Sequence, residues 1–490
     1  MGPDELLRQA DGMRPLPAAA FLLSLLPALL LLLMAPFNPD ELESFRATRW
    51  IASGLVPFRD FWEHHLPLHW LLLSPFARLT RSATVESLVL LRVAQLPLLA
   101  ATRLVVGRML RRAGVSRAAN LFGVSFFFLA IHRSVVEIRI DVTMNLFLLA
   151  GLLALTWDAG ETEGRPALPF LGGVSLGLAC LASQRAIPVA LVAAATAPVS
   201  AWALGLPFRP RRFGQAPLLA MAGLLTTALL TLAAAHIAGA LPALWEQCFR
   251  QNFLYERLSS HTAAGPSALD WTRRFLSRPG AVALVVLAVT GAVLGPRDSR
   301  LRPHAATAAI LAVTQAGLLF TIRSPFPYQF QTLFWFLALL SAVALEGLMR
   351  AGRRVAIVVT SGAAAIVVAG TFLAIQAVRW GVMAETVAHQ DHVLRTVERV
   401  SHPGSVVLEG CGFAVNRVPA MKTWFLPRLA RDLMAAGVLP APTPSELTAR
   451  RVALVIADSR LLATVKDDAS LGPFVARNFF PLERFIWVPA

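Results

Sequence analysis

Ionisable side chains crowd a few short stretches of a chain that is otherwise poor in charge. The stretch 37–73 reads FNPDELESFRATRWIASGLVPFRDFWEHHLPLHWLLL and holds Asp40, Glu41, Glu43, Arg59, Asp60, Glu63, His64, His65 and His69. A second stretch carries Glu137, Arg139 and Asp141, a third Gln184-Arg185, and a fourth, RSPFPYQFQ, carries Arg323 and Tyr328. A carboxylate such as Asp40 can take the proton of an acceptor hydroxyl. If that hydroxyl attacks a sugar held on a lipid phosphate, the departing phosphate is already a stable anion. Acid assistance then matters little, and cations that hold the phosphate matter more. Arginines suit that task, because a guanidinium binds phosphate in bidentate fashion. Asp40 has an ordinary alternative use, capping a helix that begins near Glu41. Glu63, His64, His65 and His69 admit three readings: a metal site, with His65 and His69 at i,i+4 spacing, a contact to substrate or phosphate, or polar packing.

The rest of the sequence says what must position these groups. Of 490 residues, 56% are hydrophobic and 15% charged. Soluble domains average roughly 45–50% apolar and about 25% charged, so the figures argue against a water-soluble enzyme. Apolar stretches near the ~20 residues that cross a bilayer recur. They fall at 17–37, 85–106, 118–135, 142–157, 168–183, 187–206, 216–238, 281–294, 305–322, 332–349 and 355–377. These predict a polytopic α-helical membrane protein with about 11 transmembrane helices. The first stretch reads as a span rather than a signal peptide, since it outruns the usual ~7–15 apolar residues and no small-x-small cleavage site follows.

With the N-terminus inside, the arginine clusters 108–117, 209–212, 297–302 and 350–354 all fall in short inner loops. That is the positive-inside pattern, and it assigns the net charge of +16 to topology rather than to nucleic-acid binding. The acid- and histidine-bearing stretches then lie outside. Arg185, at the end of an apolar run, marks function or snorkels to the interface. Arg92, deeper in the second span, either pairs with an acid such as Glu86 or reaches the acids of the first loop. Beyond residue 377 the chain becomes polar, with β-like runs at 405–409, 452–458 and 484–488 and a helix-like LPRLARDLMAAG between the first two. This predicts a membrane-embedded domain over 1–377 and a small extracytoplasmic α/β domain over 378–490. Of three cysteines, only Cys248 and Cys411 could meet. Phosphate-loop, CxxC and HExxH patterns are absent, which disfavours an ATP-driven pump, and no outside loop carries a GxSxG elbow.

The DE pair after the first span, the string GLVPFRDFWEHHLPL and the later IRIDVTMNLF resemble membrane glycosyltransferases of the GT-C type. That group includes the protein O-mannosyltransferases and the lipid A aminoarabinose transferases. The likeness runs from residue 17 to about 349. It implies that Asp40 is the catalytic base with Glu41 beside it, and that Asp141 places the acceptor or the base. Glu137 and Arg139 would share the Asp141 loop. A basic residue after the fifth span, commonly Lys in the group, falls here on Gln184-Arg185 and is implied to meet the lipid phosphate. A tyrosine-bearing loop falls on Pro327-Tyr328, with Arg323 as a second phosphate contact; Arg59, His64 and His65 complete the expected substrate contacts. The implied activity is transfer of a sugar from a polyprenyl-phosphate donor to a hydroxyl of a lipid, glycan or protein at the outer side of a bacterial cytoplasmic membrane. No cofactor is required by this reading, a divalent cation is left open, and nucleic acid is not a partner. The alternatives are a transporter or flippase of lipid-linked sugars, or a non-catalytic subunit of envelope assembly.

Overall fold

The structure, a computed structural model, describes residues 15–80, 82–159, 167–203, 210–258, 266–298, 301–322, 325–468 and 470–490. Each of the eleven apolar stretches is helical. In chain order they are α1 (Pro15–Met34), then, after two loop helices α2 (Pro39–Ala52) and α3 (Leu68–Ala77), the pair α4 (Val85–Ala94) and α5 (Leu96–Arg112). There follow α6 (Arg117–Ile131), α7 (Ile140–Ala159), α8 (Ala167–Ala182), α9 (Ala186–Ala203), α10 (Pro210–Ile237), α11 (Pro279–Leu294), α12 (Arg302–Thr321), α13 (Gln331–Arg350) and α14 (Arg353–Gln376). Among the described residues seven helical segments are long and apolar enough to cross a bilayer, and α6 to α9 are shorter apolar helices. Residues such as Leu229, Leu230 and Ile237 of α10 stand 65–86% exposed on its outer face. Apolar surface of that kind fits lipid and not water.

Helix α13 is the axis of the bundle: 72% of its apolar window is buried, against 22–39% for the other long helices. It stacks Trp335 on Phe127 of α6, ring centroids 3.7 Å apart. Helices α8 and α10 approach closely because small residues face each other. A methyl group on Gly173 would lie 1.8 Å from the Ala220 carbonyl oxygen, and one on Gly223 2.1 Å from that of Phe170. Close backbone approach through small residues is how helices gain packing energy where lipid removes the hydrophobic drive.

After α15 (Trp380–Val400) comes a five-stranded sheet in the order β2-β1-β3-β5-β4. Its strands are β1 (Val406–Leu408), β2 (Val418–Pro419), β3 (Leu454–Ile456), β4 (Phe479–Glu483) and β5 (Ile486–Pro489). Strand β1 runs parallel to β2 and β3, while β5 is antiparallel to β3 and β4. Val393 and Val397 of α15 pack on Val407, Leu454 and Ile456 of the sheet. The sheet region is docked on the first loop. Arg46 of α2 forms a buried ion pair with Glu409 and donates to the Arg417 carbonyl at 3.1 Å. Trp424 donates its indole N–H to the Trp62 carbonyl at 2.9 Å, and Gln390 exchanges two hydrogen bonds with the Phe37 backbone. Helix α2 is therefore enclosed, with Leu42 and Phe45 buried. All three cysteines are free, so Cys248 and Cys411 form no disulfide.

Candidate active site

The site is assembled around the start of α2. Asn38 caps this helix: its side-chain oxygen accepts from the Glu41 N–H at 3.0 Å, and the Glu41 carboxylate accepts from the Asn38 N–H at 3.2 Å. Pro39 follows in the first turn, where its missing N–H costs nothing. The capping task thus falls to Asn38, and Asp40 is left free to face outward from the helix end.

Glu41 does not join Asp40, and the expectation that it sits at the reacting centre is corrected. It is fully buried and locked to Arg92 by two hydrogen bonds of 2.7 Å. Arg92 also donates to the Leu32 and Ala35 carbonyls at 3.2 and 2.7 Å. A buried cation is tolerable here because it satisfies the orphan carbonyls ending α1 as well as the carboxylate. Glu41 further accepts from the Ile138 N–H at 3.0 Å, which ties the second loop to α2 and brings Arg139 beside Asp40.

A cavity of about 1390 Å³ opens there. Small-molecule pockets usually measure roughly 300–1,000 Å³, so there is room for more than a monosaccharide. Asp40, His64, His65, Arg139, Asp141, Arg185 and Tyr328 all line it. Asp40 accepts from Arg139 at 2.8 Å through one oxygen and from Arg460 at 2.9 Å through the other. Burial alone would raise its carboxyl, but the two guanidiniums outweigh burial and hold it at about 2. Arg139 also donates to Glu137 at 2.8 Å and lies 3.7 Å over the Tyr328 ring. Burial would lower this guanidinium, yet Glu137 and Asp40 keep it well above its ordinary range. Glu137 itself stays behind Arg139 and does not line the cavity.

Asp141, in the first turn of α7, accepts from Arg185 at 3.2 Å through Oδ1, while Oδ2 is buried without a partner. Arg185 sits in the turn between α8 and α9, 25% exposed and directed at the cavity rather than snorkelling. Arg59 is corrected: it pairs with Asp60 and the Ala238 carbonyl at the surface and lines no part of the cavity. Arg323 lies outside the described residues.

One contribution escaped the sequence. Arg460 comes from the C-terminal region, 420 residues from Asp40, and its NH1 is buried without a partner. Glu43, one turn after Asp40, lines the same wall. Residues 245–253 supply a π-helical turn, Trp245–Arg250, whose Trp245, Cys248, Phe249 and Arg250 face the cavity; such turns recur at functional sites. Among the described residues six arginines and four carboxylates line the cavity, which favours an anionic occupant. His69 is withdrawn from the histidine group by its 2.8 Å bond to Thr143.

The chain resembles two solved structures of ArnT from Cupriavidus metallidurans, one bound to undecaprenyl phosphate and one in the apo state. The TM-scores are 0.62 and 0.60 at 14% and 13% identity, over 98% of both chains in each case. No protein-family model and no curated protein matches the chain. The protein is thus a multi-pass membrane protein with the GT-C-like fold expected from the residues at 40–41, 54–68 and 138–147.

Proposed function

We propose that the protein is a GT-C membrane glycosyltransferase. It moves a sugar from a polyprenyl-phosphate donor to a hydroxyl of a lipid, glycan or protein on the outer side of the cytoplasmic membrane. The observation that carries this reading is the convergence of Asp40, Asp141, Arg139, Arg185 and Arg460 on one large cavity at the ends of apolar helices. The likeness to an ArnT bound to undecaprenyl phosphate supports a carrier of that class.

Asp40 takes the acceptor proton, and the acceptor oxygen attacks the anomeric carbon from the face opposite the phosphate. The carbon–oxygen bond to phosphate breaks, its electron pair leaves with the phosphate, and configuration inverts. Arg185 and Arg460 hold the departing phosphate; the unpartnered NH1 of Arg460 is available for it without loss of the Asp40 pair. A base held at about 2 is weak. A bound phosphate that draws the guanidiniums toward itself makes Asp40 more basic when the donor is in place. Asp141 positions the acceptor through its free oxygen. Arg323, in this reading, adds a third phosphate contact.

Mass spectrometry of envelope lipids and glycans from cells with and without the gene tests the proposal and identifies the sugar and acceptor together. Loss of one glycosyl mass, with accumulation of the lipid-linked donor, is expected. Identical profiles would refute it.

A further inference from the structure

Helix α6 carries the cavity loop at its far end and the α5–α6 turn at its start, so that turn lies at the end of the bundle away from the cavity. There an arginine sits inside an apolar span without an acid to hold it. Helices α1 and α5 both lie against α6, and Arg103 of α5 reaches across to α1, its guanidinium 5.4 Å from the centre of the Phe21 ring. Phe21 is fixed in turn by Phe128 of α6, with ring centroids 6.2 Å apart. Gly107, one turn after Arg103, leaves room beside the guanidinium. A methyl group there would lie 2.8 Å from Arg103 NH1 and 3.6 Å from Asn120 Nδ2. Asn120, in the first turns of α6, is 3% exposed, and its side-chain oxygen is buried without a hydrogen-bond partner.

The positive-inside pattern accounts for arginines in loops, but Arg103 is not in one. It precedes Arg111 on the same helix by about 12 Å, and its guanidinium, turned back to Gly107, still lies about 6 Å short of that residue. The charged groups that act on it are Arg111 and Arg117, both cations. Among the described residues none of the three has a carboxylate partner. A charge at this depth is costly unless something pairs with it, and three cations together add repulsion. One phosphate answers both, since guanidiniums bind it in bidentate fashion. Basic pockets between membrane spans hold acidic lipid headgroups in this way. Two further features favour a lipid over free phosphate. Leu22 and Leu104, next to Phe21 and Arg103 in the chain, are 65% and 57% exposed, which gives acyl chains a surface to lie on. The unpartnered Asn120 oxygen accepts from a donor, which a headgroup hydroxyl provides.

We propose that Arg103, with Arg111, Arg117 and Asn120, holds the phosphate of one anionic phospholipid of the bilayer in the crevice formed by α1, α5 and α6. The site lies apart from the transfer cavity and does not rest on the transferase reading.

The test is native mass spectrometry of the purified full-length protein, delipidated in detergent and titrated with phosphatidylglycerol, with phosphatidylcholine as the neutral comparison. Retention of phosphatidylglycerol in preference to phosphatidylcholine is expected. Arg103→Met should lower the number of tightly held phosphatidylglycerol molecules by one, that lipid binding about tenfold more weakly, and Arg103→Lys should restore part of the loss. Arg108→Met removes an exposed arginine near the same end of α5 and should leave the number unchanged. Inorganic phosphate in large excess should displace nothing; displacement would show a free-phosphate site and overturn the lipid assignment. Equal numbers in wild type and Arg103→Met, or equal losses in Arg103→Met and Arg108→Met, would overturn the proposal. So would wild-type protein that shows no preference between the two lipids, whether or not the variants fold. The assay measures no transfer, so a chain that holds the lipid and transfers no sugar would refute the transferase reading and leave this site standing.

Discussion

Asp40 is bracketed by two guanidiniums, and this fixes what its chemistry can be. Its folded value near 2 lies below the ordinary 3.8, so the pairing stabilises the fold fully above about 3.8 and is lost as pH falls through 2. The carboxylate is therefore ionised throughout the neutral range. The acid limb of kcat/KM, which reports the free enzyme, should contain no Asp40 titration above about pH 3. Asp40→Glu should leave the position of that limb unchanged; a limb that shifts with the substitution would show that Asp40 carries a proton near neutrality. Arg460→Ala removes a charge-assisted contact of a class worth about 1.5–3 kcal/mol. We expect donor KM to rise roughly tenfold to a hundredfold with a smaller loss in kcat, and an unchanged KM would remove Arg460 from the phosphate site. These side chains differ in how far the sequence revealed them. Asp40, Asp141, Arg139, Arg185 and Tyr328 were legible, since each lies beside an apolar stretch in a chain where charge is scarce. Arg460 was not, because nothing near it in sequence marks a residue that reaches 420 positions back.

The helices and their ends decide which acid faces the cavity. Arg92 illustrates the limit of reading along the chain. Glu86, on the same helix, is its nearest acid in sequence, yet Glu86 pairs with Arg395 at 2.9 Å and Arg92 turns inward to Glu41. The choice is set by the carbonyls ending α1, to which Arg92 donates while it holds Glu41. Arg92→Met leaves Glu41 buried and unpaired, and we expect destabilisation of about 3–5 kcal/mol, read as a large fall in the thermal midpoint in detergent. A midpoint within a degree of wild type would mean that Glu41 finds another partner. The eleven apolar stretches were legible because a bilayer imposes length and composition together. The sheet was legible in part. Strands β1, β3 and β5 are β-branched and apolar, whereas β2 is two residues long and β4 carries Pro481, which weakens both patterns.

Taken as a whole, the protein closes its cavity from two sides: the ends of apolar helices and the turns joining them supply Asp141, Arg185 and Tyr328, and the C-terminal region supplies Arg460 and Phe425. The buried Arg46–Glu409 pair ties the C-terminal region to α2. Arg46→Met should loosen the C-terminal region and lower transfer with Asp40 and Asp141 intact, seen as faster proteolysis after residue 377; unaltered proteolysis and activity would show that the docking is redundant. The decisive measurement follows from the geometry at Asp40. Purified protein is reconstituted with a labelled polyprenyl-phosphate sugar and an acceptor extract, and released polyprenyl phosphate is counted for wild type and Asp40→Asn. The wild type should release the carrier in step with acceptor labelling. The variant should bind donor comparably and turn over at least about a hundredfold more slowly, the usual loss when a positioned base is removed. Equal rates in the two proteins, or passage of intact donor across the bilayer without release, would contradict the assignment.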